Sequence, residues 1–533
     1  MKHFVDTGVC NPDKHYMAYS DKRIEEIKEM IHAGKYFTIN RARQYGKTTT
    51  LYLLKKKLHK EYIVLKLSFE GADSYFTSEE AFVNGFLEDV EEELYRQNLE
   101  ISIWGSGTEP KKNYVTMKEL GRRITKLCEQ MNKEIILFID EVDKSADNQI
   151  FLSFLGMLRE KFIRREMGED ITFHSVVLAG VYDIKNLKLK LRNGEEQKYN
   201  SPWNISSDFN IDMALSAEEI TGMLKEYEQE HQYHIDINWF ANKIWEYTQG
   251  YPYLVSRICK LLDEEIWKTH ENAKEKEARE QAWTGEGFQK VIKSIVTSRS
   301  TLFDDINKNI EAFPKLGKML KFILLYGQHF SYTLSDDIIQ LGTMFGYLRE
   351  KDGEVAIHNR IFEMYLYDMF YKKSELENQL VKKSSYEKNQ FIQNGQLEMN
   401  QILERFAIHY HGMFEKQHQK FFEDECRFLF ITFIKPIING IGNYYIEART
   451  RDQRRMDIVI DYLGKQYIIE LKIWYGEKYI QDGREQLADY LDSMESTKGW
   501  LVSFYFGKKK LDAANYEIQE KEIHDKKILE IVV

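Results

Sequence analysis

Proline is scarce in this sequence, with six residues in a chain of 533, and glycine contributes only 30. Hydrophobic residues make up 43% of the chain and aromatic residues 14%, which is enough apolar material for several cores. Disordered, collagen-like and mucin-like classes are therefore excluded. Lysine, glutamate and leucine are frequent, so the composition predicts a helix-rich protein in which each proline marks a junction. The length favours three or four domains.

Long apolar runs are also missing. None approaches the roughly 18 residues that are needed to cross a bilayer. The nearest, residues 428–438, is interrupted by Lys435 and Pro436. The first residues, MKHFVDTGVCNPDKH, contain no apolar signal core. We expect a soluble, cytoplasmic protein that has no membrane partner.

Cysteine is rare as well, and the four residues show no C-x-x-C spacing. Neither a disulfide framework nor a zinc knuckle is indicated. The 75 basic and 85 acidic residues give a net charge of −10. That balance argues against a general affinity for nucleic acid, although it leaves room for local basic clusters.

The order of the elements predicts an α/β multidomain protein. Up to about residue 215, short β-branched runs alternate with longer amphipathic stretches, which is typical of a parallel sheet. Residues 216–300 have a helical period, and residues 301–373 combine short helices with a hairpin signal at Asp352-Gly353, an arrangement that indicates a winged helix. The candidate strands of the sheet are residues 36–40, 62–69, 134–140, 173–180 and 209–214.

The C-terminal part reads as a separate unit. Residues 374–400 are polar and poor in large apolar side chains, which predicts a linker. In residues 401–533, a helical stretch from about 414 to near 436 precedes three strands, a helix over about 479–494 and further strands.

A phosphate-binding loop is indicated after the first strand. Gly46-Lys47-Thr48 matches the end of G-x-x-x-x-G-K-[ST], but Arg41 takes the place of the first glycine. In such a loop, backbone N–H groups hold phosphate oxygens, the lysine neutralises the β and γ phosphates, and the threonine hydroxyl binds Mg²⁺. The alternative is a lysine at an ordinary exposed turn. The candidate nucleotide-binding residues of the loop are Arg43, Gln44, Tyr45, Gly46, Lys47, Thr48 and Thr49.

The segment EIILFIDEVDK supports the loop, because an apolar strand there ends in Asp140-Glu141. In a phosphate-loop enzyme this strand lies beside the loop. Asp140 would then coordinate Mg²⁺ through water, and Glu141 would be the catalytic residue that polarises the attacking water. The alternative, a strand that merely ends at an acidic loop, is less favoured next to Gly46-Lys47-Thr48.

The segments HYMAYSDKRIEEIKEMIHAGKYFTINRARQYGKTT and ILFIDEVD together resemble bacterial AAA-like ATPases related to the STAND class, whose loops often read P-R-x-x-G-K-[ST]. Those relatives also lack the first glycine. SVVLAGVYDIKNL resembles their sensor region on the fourth strand, and SPWNISSDF resembles the segment before the last strand. TQGYPYLV resembles the G-x-P motif of their lid, which implies that Gly250 and Pro252 lie near the base and the ribose of a nucleotide.

This resemblance covers residues 1–373. It implies ATP binding and hydrolysis by an AAA-like P-loop core in residues 1–215, with a helical lid in residues 216–300 and a winged helix in residues 301–373. In such proteins the wing binds DNA or packs on the ATPase as a regulator, and regulatory packing is favoured here.

A second constellation lies in RRMDIVIDYLGKQYIIELKIW, where two alternating segments flank Leu463-Gly464. If those two residues form the turn, Tyr462 faces Lys465, and counting back pairs Asp457 with Glu470. Lys472 then points to the same face as Glu470. Two carboxylates next to a lysine are what Mg²⁺-dependent phosphodiester hydrolysis requires. The alternative is a solvated charge pattern on exposed strands.

Asp457 followed by Glu470-x-Lys472 resembles the PD-(D/E)xK nucleases, and Gln486-x-x-x-Tyr490 resembles the Q-x-x-x-Y motif of their RecB-like branch. The resemblance covers about residues 414–533 and implies a nuclease-like domain that acts on DNA or RNA. It makes Asp457, Glu470, Lys472 and Gln486 catalytic. It also implies that Glu425 joins Asp457 and Glu470 as a metal ligand, with Glu423 and Glu447 less favoured.

Two basic clusters could track a phosphate backbone or could be solvated edge charges. They are Arg449, Arg451, Arg454 and Arg455, and Lys508, Lys509 and Lys510.

The leading hypothesis is an ATPase, with ATP and Mg²⁺ as cofactors, whose nucleotide state controls a fused nuclease-like domain in residues 401–533. The alternative is a slow STAND-type switch or scaffold that holds ATP or ADP and whose C-terminal domain binds nucleic acid or protein without cutting it. Assembly into a homo-oligomer is a further expectation.

Overall fold

The computed structural model describes residues 2–18, 21–99, 116–145, 148–181, 203–265, 275–326, 328–375, 390–414, 423–438, 442–449, 455–474, 476–506 and 517–533. The chain divides into two compact units. The first unit contains Met1–Gln232, Asp236–Arg257 and Gln340–Leu348. The second unit contains Tyr233–Ile235, Ile258–Ile339 and Arg349–Val533.

A parallel sheet of four strands forms the centre of the first unit, in the order β1-β4-β3-β2. Every residue of β3 and β4 is buried, as expected for inner strands of a parallel sheet. The four strands agree to within two residues with the predicted ones. They are β1 (Tyr36–Asn40), β2 (Ile63–Ser68), β3 (Ile135–Asp140) and β4 (Ser175–Gly180).

The fifth predicted strand, residues 209–214, is wrong, because this segment has no ladder partner in the part of the chain that the structure describes. Its carbonyl groups are used otherwise. Arg41 Nη2 donates to the Ile211 carbonyl at 2.7 Å, and Arg23 Nη2 donates to the Ala214 carbonyl at 2.8 Å. Side chains from earlier in the chain thus satisfy two carbonyl groups of this segment without a strand ladder.

Helices alternate with these strands, and together they enclose a core in which Phe82, Phe154 and Trp203 are fully buried. This alternation confirms the α/β fold with a parallel sheet that the sequence predicts. The helices are α1 (Asp21–His32), α2 (Lys47–Leu58), α3 (Glu79–Arg96), α4 (Met117–Gln130) and α5 (Gln149–Glu166).

The described residues between 216 and 300 form helices joined by short connections, as predicted. A capping box starts the first of these helices, since the Ser216 hydroxyl accepts from the Glu219 N–H and the Glu219 carboxylate accepts from the Ser216 N–H. Another begins at Pro252, where a proline costs no hydrogen bond. The helices are α6 (Ala217–His231), α7 (Ile237–Thr248), α8 (Pro252–Glu264), α9 (Glu275–Ala282) and α10 (Gly285–Thr297).

Residues 301–375 contain helices and the predicted hairpin. Asp352 and Gly353 have φ of 54° and 81°, as both central residues of a type I′ turn require. Among the described residues of the chain, no helix is both long and apolar enough to cross a membrane. The elements are α11 (Thr301–Ala312), α12 (Pro314–Tyr326), α13 (Asp337–Met344), β5 (Leu348–Lys351), β6 (Glu354–Ile357) and α14 (Arg360–Glu375).

The structure differs from the predicted linker, residues 374–400, at its C-terminal end. A small hairpin forms there from β7 (Ile392–Gln393) and β8 (Gln396–Leu397). The Leu397 N–H donates to the Tyr467 hydroxyl at 3.0 Å, so contacts with the C-terminal sheet order this part of the chain. The polar composition alone did not show this.

A mixed sheet of six strands dominates the C-terminal part, in the order β13-β14-β12-β11-β10-β9. β9, β10 and β11 are antiparallel neighbours, whereas β11, β12 and β14 run parallel. The strands are β9 (Gly442–Arg449), β10 (Arg455–Tyr462), β11 (Lys465–Ile473), β12 (Lys498–Phe504), β13 (Gln519–Ile523) and β14 (Lys526–Val532).

Three helices accompany this sheet: α15 (Met399–Phe414), α16 (Glu423–Ile438) and α17 (Glu477–Ser493). The single helix predicted from about residue 414 thus corresponds to α16, with α15 before it. The predicted helix over about 479–494 corresponds to α17.

Helix α16 also joins the C-terminal sheet to the helices before it, within the second unit. Lys435 of α16 forms an ion pair with Asp368 of α14. The Tyr367 ring of α14 meets the Tyr444 ring of β9 edge to face, with centroids 4.9 Å apart. The C-terminal sheet and α14 therefore share a packed interface.

Candidate functional site

The loop between β1 and α2 has the backbone of an anion-binding turn. Gly46 precedes α2 with φ of 77° and ψ of 14°, and no side chain caps the helix. Gln44 also has a positive φ, of 57°. Glycine is suited to this conformation. The first N–H groups of an uncapped helix are available to an anion such as a phosphate.

Lys47 is buried at the centre of this loop, with 6% of its surface exposed. Its Nζ donates to the carbonyl oxygens of Arg41 and Ala42, at 2.9 Å each. Burial lowers the pKa of the Lys47 ammonium, and the carboxylates of Asp143, Glu141 and Asp140 oppose that change, Asp143 most strongly. The ammonium therefore lies within the field of a group of acidic side chains.

Two of those acids end the strand β3. Asp140 is 2% exposed, and its Oδ1 accepts the Glu141 N–H at 3.0 Å. Glu141 has φ of 56°, a costly conformation for a non-glycine residue, and burial raises the pKa of its carboxyl group. Because β1, β4 and β3 are parallel neighbours, these acids and the loop after β1 lie at the same edge of the sheet.

Arg41, in the place of the first glycine, has a structural role of its own. Nη1 donates to the Asn40 carbonyl at 2.9 Å and Nη2 donates to the Ile211 carbonyl at 2.7 Å. The guanidinium lies 5.1 Å from the centroid of the Phe209 ring, and burial lowers the pKa of Arg41. The Arg41 side chain thereby joins the beginning of the loop to the segment that precedes α6.

The turn before α8 contacts the loop. The Tyr251 hydroxyl donates to the Arg43 carbonyl, and its ring meets the Tyr45 ring edge to face at 4.8 Å. The Pro252 side chain is 4.0 Å from the position of a Cβ on Gly46. The structure thus brings Pro252 to the loop, and its proximity to the base or the ribose of a nucleotide stays a prediction. It adds Tyr251, which lies between the two motif residues named in the sequence.

Gly250 faces the backbone before α6 instead. With φ of 71°, a Cβ here would lie 2.1 Å from the Leu215 carbonyl oxygen. The Gly250 carbonyl accepts the Leu215 N–H at 2.8 Å. This close approach explains the glycine, and the proximity of Gly250 to a base stays a prediction.

We expect Gly250→Ala to lower the free energy of unfolding by at least about 2 kcal/mol, through backbone strain and the clash with Leu215. The matched control is Gly222→Ala in α6, where a Cβ would meet nothing within 4 Å. The control should raise the free energy of unfolding by about 0.5–1 kcal/mol. Urea unfolding followed by circular dichroism compares the two. Equal midpoints would contradict the interpretation.

The other predicted loop residues lie at the same turn. Arg43 and Gln44 are exposed and Tyr45 is buried, and burial raises the pKa of the Tyr45 hydroxyl. The Thr49 hydroxyl accepts the Cys10 N–H at 3.2 Å. Thr48 is half-buried in the first turn of α2, and its role as a metal ligand stays a prediction.

A later segment of the first unit also contacts the loop. Gly346 has φ of 71°, and a Cβ on it would lie 2.7 Å from the Ala42 Cβ. The same position is 3.6 Å from Cε2 of Tyr251. The turn between α13 and β5 therefore packs directly against the loop.

The strand register of the C-terminal sheet follows the prediction. Tyr462 pairs with Lys465, and the turn between them has positive φ at both residues, 51° and 79°. The pairing runs without a bulge to Ile458 and Ile469. Counting one pair further along the two strands would set Asp457 opposite Glu470, and that pairing stays a prediction.

Glu470 and Lys472 lie together in β11. Glu470 is 2% exposed, and its Oε1 is 2.9 Å from Lys472 Nζ. A Cβ on Gly483 of α17 would lie 3.2 Å from Lys472 Cγ. The glycine thus leaves room for the stem of the lysine beside its carboxylate.

Among the predicted residues with described side chains, Gln486 and Tyr490 lie on the neighbouring helix. Gln486 is exposed on α17, one turn after Gly483, and Tyr490 is buried. The side chains of Asp457 and Glu425 lie outside the described residues, although their backbones belong to β10 and α16. The following predicted features also lie wholly or in part outside the described residues: the side chains of Glu423, Glu447, Arg449 and Arg455, and residues Arg451, Arg454, 182–187, 201–202 and 508–510.

Two residues near the loop were missed by sequence reasoning, Tyr251 and Asp143. The signal for Tyr251 was its position inside G-x-P, and the signal for Asp143 was its position three residues after Asp140. Among the described residues, no group of three or more His, Cys, Asp or Glu side chains is arranged to hold a metal ion by itself.

Residues 8–284 match the family model of the AAA-like domain, which is more than half of the chain. No curated protein matches the sequence. The fold is similar to the Walker-type ATPase PABY2304 of Pyrococcus abyssi, with 12% identity, a TM-score of 0.45, and coverage of 68% of this chain and 98% of that one.

Two further structures with similar folds are proteins of Aeropyrum pernix. The ORC2 protein in ADPNP–ADP complexes has 10% identity and a TM-score of 0.37, with 67% of this chain and 94% of that chain covered. The ORC1 protein in complex with DNA has 12% identity and a TM-score of 0.29, with 68% and 96% covered.

Proposed function

The chain belongs to the family of AAA-like domains, and from that premise we propose that it binds ATP at the loop of the first unit and hydrolyses it with Mg²⁺. We further propose that the nucleotide state controls a C-terminal domain that cleaves DNA or RNA.

The observation that carries the ATP site is the position of Lys47, buried in the loop and faced by the acids at the end of β3. The uncapped start of α2 would bind the phosphates, and Lys47 would neutralise the β and γ phosphates. Thr48 and Asp140 would hold Mg²⁺, which supplies neutralisation of charge on the phosphates. Glu141 would orient and deprotonate the attacking water.

Lys47→Ala tests this site. We expect the dissociation constant for ATP to rise at least about tenfold, because the variant loses a charge-assisted contact with phosphate. Titration with a fluorescent ATP analogue measures it. Lys60→Ala, which removes an exposed lysine just after the same helix, is the control and should bind as the parent does. A Lys47→Ala protein with the parent affinity would rule out this loop as the site.

The C-terminal proposal is supported by the ion pair of Glu470 with Lys472 and by the register of β10 and β11, which is in keeping with Asp457 opposite Glu470 when it is counted one pair beyond Ile458 and Ile469. The order of α16, three antiparallel strands, α17 and a parallel strand agrees with the predicted nuclease-like arrangement. Asp457, Glu470 and Glu425 would hold Mg²⁺, an ion that prefers carboxylate ligands. Lys472 would position the water or stabilise charge on the phosphate, and Gln486 would contact the substrate.

The purified full-length protein should cleave at least one member of a panel of single-stranded, duplex and branched DNA and RNA, in the presence of Mg²⁺ and ATP. EDTA should abolish the cleavage, since the carboxylates alone cannot activate water. Absence of cleavage over the whole panel would remove the nuclease proposal and leave the ATP site untouched.

A slow STAND-type switch is the alternative, and the packing of Gly346 against Ala42 favours it. A segment that touches the phosphate loop can respond to the nucleotide, in keeping with a winged helix that regulates rather than binds DNA. If this alternative holds, ATP or ADP should be recovered with the purified protein, and the protein should hydrolyse ATP slowly. Its C-terminal domain should bind nucleic acid or protein without cleavage. Assembly into a homo-oligomer and a cytoplasmic location remain part of the proposal.

Control of the C-terminal domain would pass through the second unit. Helix α16 carries the proposed metal ligand Glu425 and is paired to α14 through Lys435 and Asp368. A shift of α14 would therefore move the helix that completes the proposed metal site.

A further inference from the structure

Asp143 lies in a short 3-10 turn, Val142–Ser145, directly after the end of β3. Its two carboxylate oxygens are 2.6 and 2.7 Å from the backbone nitrogen of Val181. Val181 is the first residue after β4. A short hydrogen bond from a backbone N–H to a carboxylate is among the stronger ones in proteins. The contact ties the turn after β3 to the end of the neighbouring strand.

The two segments approach each other very closely at Gly180. A Cβ on this glycine would lie 2.6 Å from Asp143 Oδ1 and 2.9 Å from Val142 Cγ2. Neither atom belongs to a long, flexible side chain that could move away easily. Any side chain at position 180 would therefore clash with Val142 and Asp143, so the turn that contains these two residues requires a glycine here.

The same strand end contacts the phosphate loop on its other side. The Gly180 carbonyl accepts the Arg41 N–H at 3.1 Å. The Arg41 carbonyl in turn accepts from Lys47 Nζ at 2.9 Å. A continuous path of contacts thus runs from the Asp143 carboxylate through Val181 and Gly180 to Arg41 and Lys47. It crosses three strands in the order β3, β4, β1.

We propose that Asp143 is a positioning residue of the ATP site, which fixes the end of β4 and, through the Gly180–Arg41 hydrogen bond, the loop carbonyls that hold Lys47. The inference rests on the proposed ATP site and adds a residue to it. Asp143 touches neither the nucleotide nor the metal in this role. Its effect is to keep the first peptide of the loop where Lys47 can be directed toward phosphate.

The test uses Asp143→Ala, Asp143→Asn and Gly180→Ala in the full-length protein. Asparagine keeps an oxygen that can accept the Val181 N–H, so Asp143→Asn should retain most of the ATP affinity that Asp143→Ala loses. We expect Asp143→Ala to raise the dissociation constant for the fluorescent ATP analogue about tenfold, and Asp143→Asn to raise it no more than about threefold. Equal constants for parent and alanine variant, or equal losses in the alanine and asparagine variants, would overturn the proposal.

A double-mutant cycle makes the coupling specific. Gly180→Ala alone should weaken ATP binding about as much as Asp143→Ala, because its Cβ displaces the carboxylate. In the Asp143→Ala background, Gly180→Ala should raise the dissociation constant for the ATP analogue by a clearly smaller factor than it does in the parent protein. Strictly additive losses would overturn the path through Gly180. If Asp143→Ala does not fold, Gly180→Ala and Asp143→Asn still decide between these outcomes.

Amide hydrogen exchange separates this inference from the function on which it rests. In Asp143→Ala, peptides that contain Val181 and peptides that contain Arg41 should both exchange faster than in the parent. If Asp143 stabilises only the turn around it, only the peptide that contains Val181 should exchange faster. That result would overturn the proposal. If the parent binds no ATP, the proposed function fails, and exchange at Arg41 still decides whether Asp143 holds the loop.

Discussion

The Glu141→Gln protein is expected to bind ATP with nearly the parent affinity and to hydrolyse it at least about 100-fold more slowly, the lower limit for loss of a general base. Glutamine keeps the shape of the side chain and cannot accept a proton from water. It should also tolerate the positive φ of 56° at this position about as well as glutamate does. The substitution should therefore slow the chemical step and leave the affinity for ATP nearly unchanged.

Burial makes Glu141 a better base than an exposed glutamate, because burial raises the pKa of its carboxyl group. The rate of the parent should fall on acidification through that raised pKa, since the protonated carboxyl cannot take a proton from water. Phosphate release under single-turnover conditions measures the rate, and titration with the ATP analogue measures affinity.

The control for this variant lies at the other end of the same strand. Glu134 precedes β3, and its side chain is 64% exposed beside His174. Glu134→Gln should hydrolyse ATP at the parent rate. Parent-like turnover in Glu141→Gln would remove Glu141 from the catalytic role, whereas loss of binding in that variant would indicate a structural role.

Local chemistry explains what the sequence predicted well. The turns at Asp352-Gly353 and Leu463-Gly464 are set by two adjacent residues that adopt positive φ. The alternation of side chains along β10 and β11 then fixes which residues share a face, so the pairing of Tyr462 with Lys465 could be counted from the turn. Glu470 and Lys472 were placed together by the same count.

Contacts between distant parts of the chain explain what could not be predicted. Residues 209–214 carry a strand-like pattern, but Arg23 and Arg41, far away in sequence, bind their carbonyl groups. Asp143 and Tyr251 act on the loop through backbone groups of Val181 and Arg43. Their positions inside G-x-P and after Asp140 mark both residues as candidates, but a backbone partner leaves no trace in the residue type, so the sequence alone does not show what they contact.

The two sites differ in how completely the fold determines them. In the first unit, Lys47 contacts the loop backbone, and that backbone is held in turn by β4 and by the Tyr251 turn. In the C-terminal sheet, Glu470 is paired with Lys472, and the stem of Lys472 lies next to Gly483. The proposed position of the second acid, Asp457, rests only on counting one pair beyond the observed register. A substitution at the lysine therefore tests the second site most directly.

Lys472→Met is expected to reduce Mg²⁺-dependent cleavage by at least about 100-fold, the size of effect seen when one charge-stabilising group is removed from an active site. Methionine keeps an unbranched stem that can still pack beside Gly483, but it has no ammonium next to Glu470 Oε1. Binding of nucleic acid should persist, because other basic residues can contact the backbone. Cleavage is measured on end-labelled substrates with Mg²⁺, and binding is measured by gel shift.

Lys465→Met is the matched control, since this exposed lysine lies at the opposite end of the same strand and donates to Gln396. It should cut at the parent rate. Circular dichroism verifies that both variants are folded, because Glu470 is buried and loses its ion-pair partner only in Lys472→Met. A folded Lys472→Met protein that cleaves as fast as the parent would place the activity elsewhere. Equal loss in both variants would point to weakened substrate binding rather than to chemistry at Glu470.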